Sequence, residues 1–108
     1  MKKRDFIIIT LVKVGFRTSL KGFDQFCMCL ELHSENPTQT IGSIYSSVAL
    51  SFNCTVSAVE KNLRRLFLSS NATDAISRLF DMDFCDTGNK EILSMFSNYV
   101  SLQREQYS

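Results

Sequence analysis

Hydrophobic side chains recur at helical spacing along this 108-residue chain, most regularly between positions 44 and 67. Two apolar stretches there are separated by a short polar turn. In each stretch the apolar residues return every three or four positions, which places them on one face of a helix. The pattern predicts two amphipathic helices that bury one face each. The inward positions are Ile44, Tyr45, Val48, Ala49 and Phe52 in the first helix and Val56, Val59, Leu63, Leu66 and Phe67 in the second.

The turn between these helices carries its own signals. Asn53 is the non-glycine residue best suited to the left-handed conformation that ends a helix. Thr55 is a good N-cap for the next helix. Together these features predict a helix-turn-helix over about residues 41–67, a motif whose second helix enters the DNA major groove. The outer surface of that second helix would carry Ser57, Ala58, Glu60, Lys61, Arg64 and Arg65.

Two further helices are predicted before this pair. The first covers about residues 5–14 and ends at Gly15, although its Ile-Ile-Ile run is also compatible with a strand. The second covers about residues 23–33, with Gly22 as a break before it. We prefer helix for the first because the following segments all have helical periodicity.

Two helices are also predicted after the pair. A break at 69–71 precedes a short fifth helix, which Thr73 would cap and whose inward residues would include Leu79. Asn89 would cap a sixth helix over about 89–102. These segments predict a single all-α domain spanning residues 1–108.

Composition agrees with a globular domain, since 44% of the residues are hydrophobic. No run approaches the ~20 apolar residues that span a bilayer, so no membrane partner is expected. The basic and apolar N-terminus resembles a secretory signal, but Asp5 and Lys13 interrupt it and no cleavage site follows. We therefore expect a cytoplasmic protein.

The charge distribution is uneven although the net charge is only +1. Residues 1–78 contain ten Lys or Arg and six Asp or Glu, so their net charge is +4. Residues 79–108 contain two Lys or Arg and five Asp or Glu, so their net charge is −3. The helix-turn-helix lies in the basic part. A local basic face can attract DNA, but an unevenly charged solvated surface explains the same numbers.

Chemistry-bearing motifs are few. The four cysteines and the single His33 lack zinc-ligand spacing. The acidic stretch 81–86 resembles a calcium loop but lacks the required glycine and the closing glutamate. No nucleotide-binding or nucleophile motif is present. We therefore expect no metal site, no cofactor, no catalytic residue and no enzymatic activity.

Several stretches together resemble a known family. From about residue 9 to 102 the chain is similar to the C-terminal DNA-binding effector domain of the sporulation-initiation response regulator of endospore-forming Firmicutes. The matching stretches, in order, are Leu20-Lys-Gly-Phe23, Tyr45-x-x-Val-Ala-x-x-Phe-Asn53, Thr55-x-Ser57-x-Val-Glu-Lys-x-x-Arg64, Ile76-Ser-x-Leu-Phe80 and Asn89-x-Glu-x-x-x-Met95.

The resemblance implies an all-α fold of about six helices packed around a helix-turn-helix. This is the response-regulator effector type, winged-helix-like but without a sheet. It implies binding to double-stranded DNA as adjacent copies or a homodimer, with RNA polymerase or a full-length regulator as further partners. The family's receiver domain has no counterpart in this chain, so we expect a stand-alone effector domain.

The resemblance also implies which residues read DNA. The family uses a Glu and two basic residues at the positions of Glu60, Lys61 and Arg64. Lys61 replaces the usual Arg and loses its planar fork. Ala58 stands where a longer basic residue is frequent, and the segment after Phe67 is shorter by roughly one helical turn.

From these observations we expect the protein to bind specific DNA sequences and to regulate transcription. Its site comprises Thr55, Ser57, Ala58, Glu60, Lys61, Arg64 and Arg65. By spacing alone, Glu60 and Arg64 are better interpreted as an ordinary exposed ion pair. The resemblance is what favours DNA contact by these residues. The alternative function is a protein-interaction module that pairs with or antagonises a full-length regulator without reading DNA. The weak net charge and the Lys61 and Ala58 departures favour that alternative.

Overall fold

The computed structural model describes residues 1–81 and 87–106. Within these ranges it contains six α-helices and no strand, which confirms the predicted all-α fold. The helices are α1 Lys3–Val14, α2 Lys21–Glu35, α3 Ile41–Ser51, α4 Val56–Leu68, α5 Ser70–Phe80 and α6 Asn89–Gln106.

Helices α2 and α4 form the centre of the domain. Helix α4 contacts α2, α3, α5 and α6, while α2 contacts α1, α3, α4 and α6. Four phenylalanines join the α1–α2 turn, α2, α4 and α6. Their rings form five edge-to-face pairs with centroids 5.0 to 6.3 Å apart. This arrangement adds favourable ring electrostatics to apolar burial. The four rings belong to Phe16, Phe26, Phe67 and Phe96.

Gly22 lies inside α2, so its predicted role as a break before the helix is wrong. Its function is steric. A Cβ at this position would lie 2.9 Å from the carbonyl carbon of Asn62 and 3.2 Å from Cβ of Leu66, both on α4. Since the closest neighbours are backbone atoms, the missing side chain is what allows α2 and α4 to approach each other.

The predicted helix signals around the first four helices are largely confirmed. Gly15 ends α1 with φ 114°, and Asn53 follows α3 with φ 54°. Thr55 caps α4, since its Oγ1 accepts a hydrogen bond from the Ala58 amide at 3.0 Å. These confirmed signals all depend on short-range backbone chemistry.

The predicted cap at Thr73 is wrong. Helix α5 begins at Ser70, and Ser69 occupies the N-cap position, so the break after α4 is a single residue. Thr73 lies within the helix. Its hydroxyl donates to the Phe67 carbonyl at 2.9 Å and the Ser69 carbonyl at 3.1 Å, which ties α5 to the end of α4.

The predicted cap at Asn89 is also wrong. Asn89 is the first residue of α6, and its Nδ2 donates to the carbonyl of Glu60 at 3.0 Å. The amide side chain therefore joins α6 to α4. Helix α6 also continues to Gln106, beyond its predicted end at about 102.

Three residues predicted to face the core are partly exposed. Phe52 has 38% of its surface exposed, Val56 36% and Leu79 42%. Each lies at or near a helix end: Phe52 is the C-cap of α3, Val56 is the first residue of α4, and Leu79 is next to last in α5. The helical period places them on the inner face, but the core does not extend that far along the helices. The remaining inward positions of α3 and α4 are buried as predicted.

Two of the cysteines are core residues. Cys27 and Cys29 are buried, and burial is the main cause that raises the pKa of each thiol to about 12. Such thiols stay protonated and unreactive at neutral pH. Among the described residues, no group of three or more His, Cys, Asp or Glu is placed to hold a metal ion. Cys85 and most of the calcium-like stretch 81–86 lie outside the described residues.

Within residues 1–81 and 87–106, no helix is long and apolar enough to cross a membrane.

The close contact at Gly22 yields a first prediction. Gly22→Ala should lower the free energy of unfolding by about 1–3 kcal/mol, because the added methyl group overpacks the α2–α4 contact. Gly42→Ala is the matched control, since Gly42 is helical and a Cβ added there would meet no atom within 4 Å. It should leave stability unchanged or raise it by up to about 1 kcal/mol. Equal effects in urea denaturation would contradict the steric role of Gly22.

The corrected core yields a second prediction. Phe26→Ala should cost about 3–5 kcal/mol through a cavity in the aromatic cluster. Phe52→Ala should cost only about 1 kcal/mol, because its ring is partly exposed and less apolar surface is lost. Thermal and urea unfolding of both variants measure the difference. Comparable losses would mean that Phe52 is a core residue after all.

Candidate nucleic-acid interface

Helix α4 is the element predicted to read DNA, and a tight turn determines where it begins. The Cys54 amide donates to the Ala49 carbonyl at 2.9 Å, which folds the chain back after α3. Left-handed Asn53 permits this reversal. The Thr55 cap then starts α4 immediately.

A partly buried amide pair fixes α4 against α2. Asn62 Nδ2 donates to Oε1 of Gln25 at 3.1 Å, and Gln25 is only 4% exposed. The Gln25 amide in turn lies 3.9 Å from Sγ of Cys54 in the turn. A satisfied polar contact of this kind specifies the rotational setting of a helix. It therefore helps to determine which residues of α4 face outward.

The outward face of α4 contains the residues that the sequence predicted. Lys61, Arg65 and Glu60 are exposed, whereas Ala58 and Arg64 are half-buried. Thr55 and Ser57 are exposed at the start of the helix. The structure thus places all seven candidate residues on one helix and at its N-terminus. Because the Ala58 amide donates its hydrogen bond to the Thr55 hydroxyl, that amide already has a partner within the protein.

The beginning of α6 lies against this face. Arg64 Nη1 donates to the carbonyl of Thr87 at 2.9 Å, and Asn89 donates to the carbonyl of Glu60. Arg64 is therefore positioned by the segment that leads into α6. This arrangement was not foreseen from the sequence, which placed Arg64 on a solvated surface.

Two clefts flank α4. The first, which we call the basic cleft, has a volume of about 550 Å³. The second, the α6 cleft, has a volume of about 390 Å³. Lys61 opens onto the basic cleft and Glu60 onto the α6 cleft, so neighbouring candidate residues serve different surfaces. The basic cleft is lined by Arg17, Leu20, Lys61, Arg64, Arg65, Leu68 and Ser69; the α6 cleft is lined by Tyr45, Glu60, Gly88, Asn89, Lys90 and Glu91.

The α6 cleft contains hydrogen-bonding groups in addition to Glu60. Tyr45 is 2% exposed, and neither its hydroxyl nor Oδ1 of Asn89 has a hydrogen-bond partner among the described residues. Burial, followed by the neighbouring Cys29 and Glu60, raises the pKa of Tyr45, so its hydroxyl remains a donor. The wall of the cleft thus contains one buried donor and one buried acceptor without a partner among the described residues.

Two cations beside the candidate residues were missed from the sequence. Arg17 follows α1 and lines the basic cleft, while Lys90 lies at the start of α6 and lines the α6 cleft. Both are distant from α4 along the chain. No local pattern marks them, because only the packing of α2 and α6 against α4 brings them close.

These features define the class of protein as a helix-turn-helix domain with a basic outward helix. Residues 7–102 match the family described as Sporulation initiation factor Spo0A C terminal. Since the match covers most of the chain, the protein belongs to this family. The family is the DNA-binding effector domain of the sporulation initiation factor, which implies DNA binding in transcription regulation, and it is not an enzyme family. A comparison with curated proteins found no match.

The α4 cap yields a third prediction. Thr55→Ala should lower the free energy of unfolding by about 1 kcal/mol, because the Ala58 amide loses its acceptor at the helix start. Thr55→Ser keeps a hydroxyl oxygen and should stay close to the wild-type value. Chemical denaturation of both variants is the measurement. If Thr55→Ser were as destabilising as Thr55→Ala, the capping hydrogen bond would not explain the loss.

Proposed function

We propose that this protein is a sequence-specific, double-stranded DNA-binding regulator of transcription, with α4 as its recognition helix. The observation that carries the proposal is the exposed polar and basic face of α4, on a helix that packs against α2, α3, α5 and α6. A rigid helix that presents such a face has the dimensions to enter a major groove. Family membership supports the same conclusion.

Each candidate residue has a role in this proposal. Lys61 and Arg64 contact base edges or nearby phosphates. Glu60 accepts a hydrogen bond from a cytosine amino group, and Arg65 contacts phosphate. Thr55 and Ser57 bring the start of α4 to a backbone phosphate, where the helix dipole favours negative charge. Ala58 leaves room for close approach of the DNA.

The position of Arg64 distinguishes it from Lys61 in mutational tests. Its hydrogen bond to the Thr87 carbonyl means that truncation would also loosen the contact with α6. A loss of DNA binding in Arg64→Ala would therefore combine the lost DNA contact with the lost hydrogen bond to the Thr87 carbonyl. Lys61 is exposed on the same face and gives the cleaner test.

The proposal includes binding to DNA as adjacent copies or as a homodimer. It also includes RNA polymerase or a full-length regulator as further protein partners. The proposed binding to chromosomal DNA implies a cytoplasmic protein. Titration of duplexes with one or two copies of the selected site would distinguish single from paired binding through the stoichiometry and the cooperativity.

The decisive experiment is selection of bound sequences from a random duplex pool, followed by fluorescence anisotropy with the selected duplex and a permuted one. We expect enrichment of a short motif and clear preference for it over the permuted duplex. Absence of any binding at low salt would reject the proposal. A complex with the full-length regulator in that case would favour the protein-interaction alternative, which the Lys61 and Ala58 departures and the weak net charge already support.

The fourth prediction concerns Lys61. Lys61→Ala should weaken binding to the selected duplex by about 1–3 kcal/mol and relax preference at one base pair, if this side chain reads a base edge. Lys61→Arg should bind at least as well as wild type, because its planar fork can pair bidentately with guanine.

Lys13→Ala is the control for Lys61, since Lys13 is an exposed lysine on α1 and its loss changes the net charge equally. It should bind the selected duplex almost as wild type does. If Lys61→Ala matched this control, Lys61 would be removed from the readout.

A further inference from the structure

The basic cleft extends the charged surface beyond the helix-turn-helix. Of its seven lining residues, four are cationic, and none of the described residues that line it is acidic. Three of the cations belong to α4. The fourth, Arg17, comes from the turn between α1 and α2.

The α1–α2 turn holds Arg17 in a defined place. Immediately before it, Phe16 is 4% exposed and its ring lies 6.3 Å from that of Phe67 on α4. The Arg17 carbonyl accepts from the Leu20 amide at 3.4 Å, which closes the turn. After the turn, Gly22 packs against the backbone of α4 at Asn62. The turn is therefore attached to α4 on both sides of Arg17.

The composition of the basic cleft indicates the chemistry of its ligand. Arg17 and Arg65 are exposed arginines, and their guanidinium groups match the geometry of phosphate oxygens. Leu20 and Leu68 supply apolar surface between them. Around Arg17, this open and shallow surface suits a sugar-phosphate backbone better than a base edge, because the turn lies beside the second half of α4 and not at its tip.

We propose that the basic cleft binds a backbone phosphate of duplex DNA, with Arg17 as a contact outside the helix-turn-helix. This inference rests on the proposed function and adds a second element to its interface. The contact would be independent of sequence, because phosphates carry no base information. Its contribution would instead appear in the salt dependence of binding, since each neutralised phosphate releases condensed counterions.

The test measures the affinity of Arg17→Ala for the selected and the permuted duplex over a series of salt concentrations. We expect the slope of log K against log salt to fall in magnitude by about 0.9, which gives about eightfold weaker binding at 0.1 M salt when the affinities are equal at about 1 M. The loss should be the same for both duplexes. Arg17→Lys should recover most of the slope, because it keeps the charge. Thermal melting should be unchanged, since Arg17 is exposed.

Arg104→Ala is the matched control. Arg104 is an exposed arginine on α6 that lines clefts with α1 and is absent from both clefts beside α4. It should leave the slope almost unchanged.

Three results would overturn the phosphate contact while the proposed function stands. These are a wild-type slope in Arg17→Ala, an equal loss in Arg104→Ala, and a loss confined to the selected duplex. Failure of the wild-type protein to bind any duplex at low salt would instead remove the proposed function and this contact with it.

Discussion

The close approach of α2 and α4 at Gly22 is the constraint on which the rest of the structure depends. The backbone of α4 at Asn62 occupies the space that any side chain at position 22 would fill. This approach brings Phe26 and Phe67 into contact in the aromatic cluster and lets Gln25 reach Asn62. The orientation of α4 is therefore determined by contacts on its inner side, and Glu60, Lys61 and Arg65 stay exposed on its outer side.

The proposed interface combines α4 with two elements that lie beside it. Helix α4 contributes the predicted polar face, the α1–α2 turn contributes Arg17, and the start of α6 contributes Asn89 and Lys90. The hydrogen bonds from Arg64 and Asn89 connect α4 with the chain around the start of α6. A change in either of those residues would thus loosen the contact between α4 and the chain around the start of α6.

Much of the fold follows from the sequence because its signals are local. The helical periods identified α3 and α4, and Gly15, Asn53 and Thr55 marked helix ends through backbone conformation and capping. Prediction failed where a residue had two local interpretations. Gly22 resembled a break, while Thr73 and Asn89 resembled caps, yet each serves a contact between helices. Phe52 fits the apolar stripe, but only the extent of the core reveals that it lies at the edge.

The sequence by itself determined the all-α class, the helix-turn-helix and the choice of seven candidate residues on α4 and at its N-cap, because these depend on spacings within a few turns of helix. Its resemblance to the sporulation effector family was sufficient to indicate DNA binding, and the family match agrees. Only the tertiary structure decided that Arg17 and Lys90 flank α4 and that Arg64 is held by the Thr87 carbonyl. Those contacts join residues far apart in the chain, and their formation depends on how the helices pack, which no local pattern encodes.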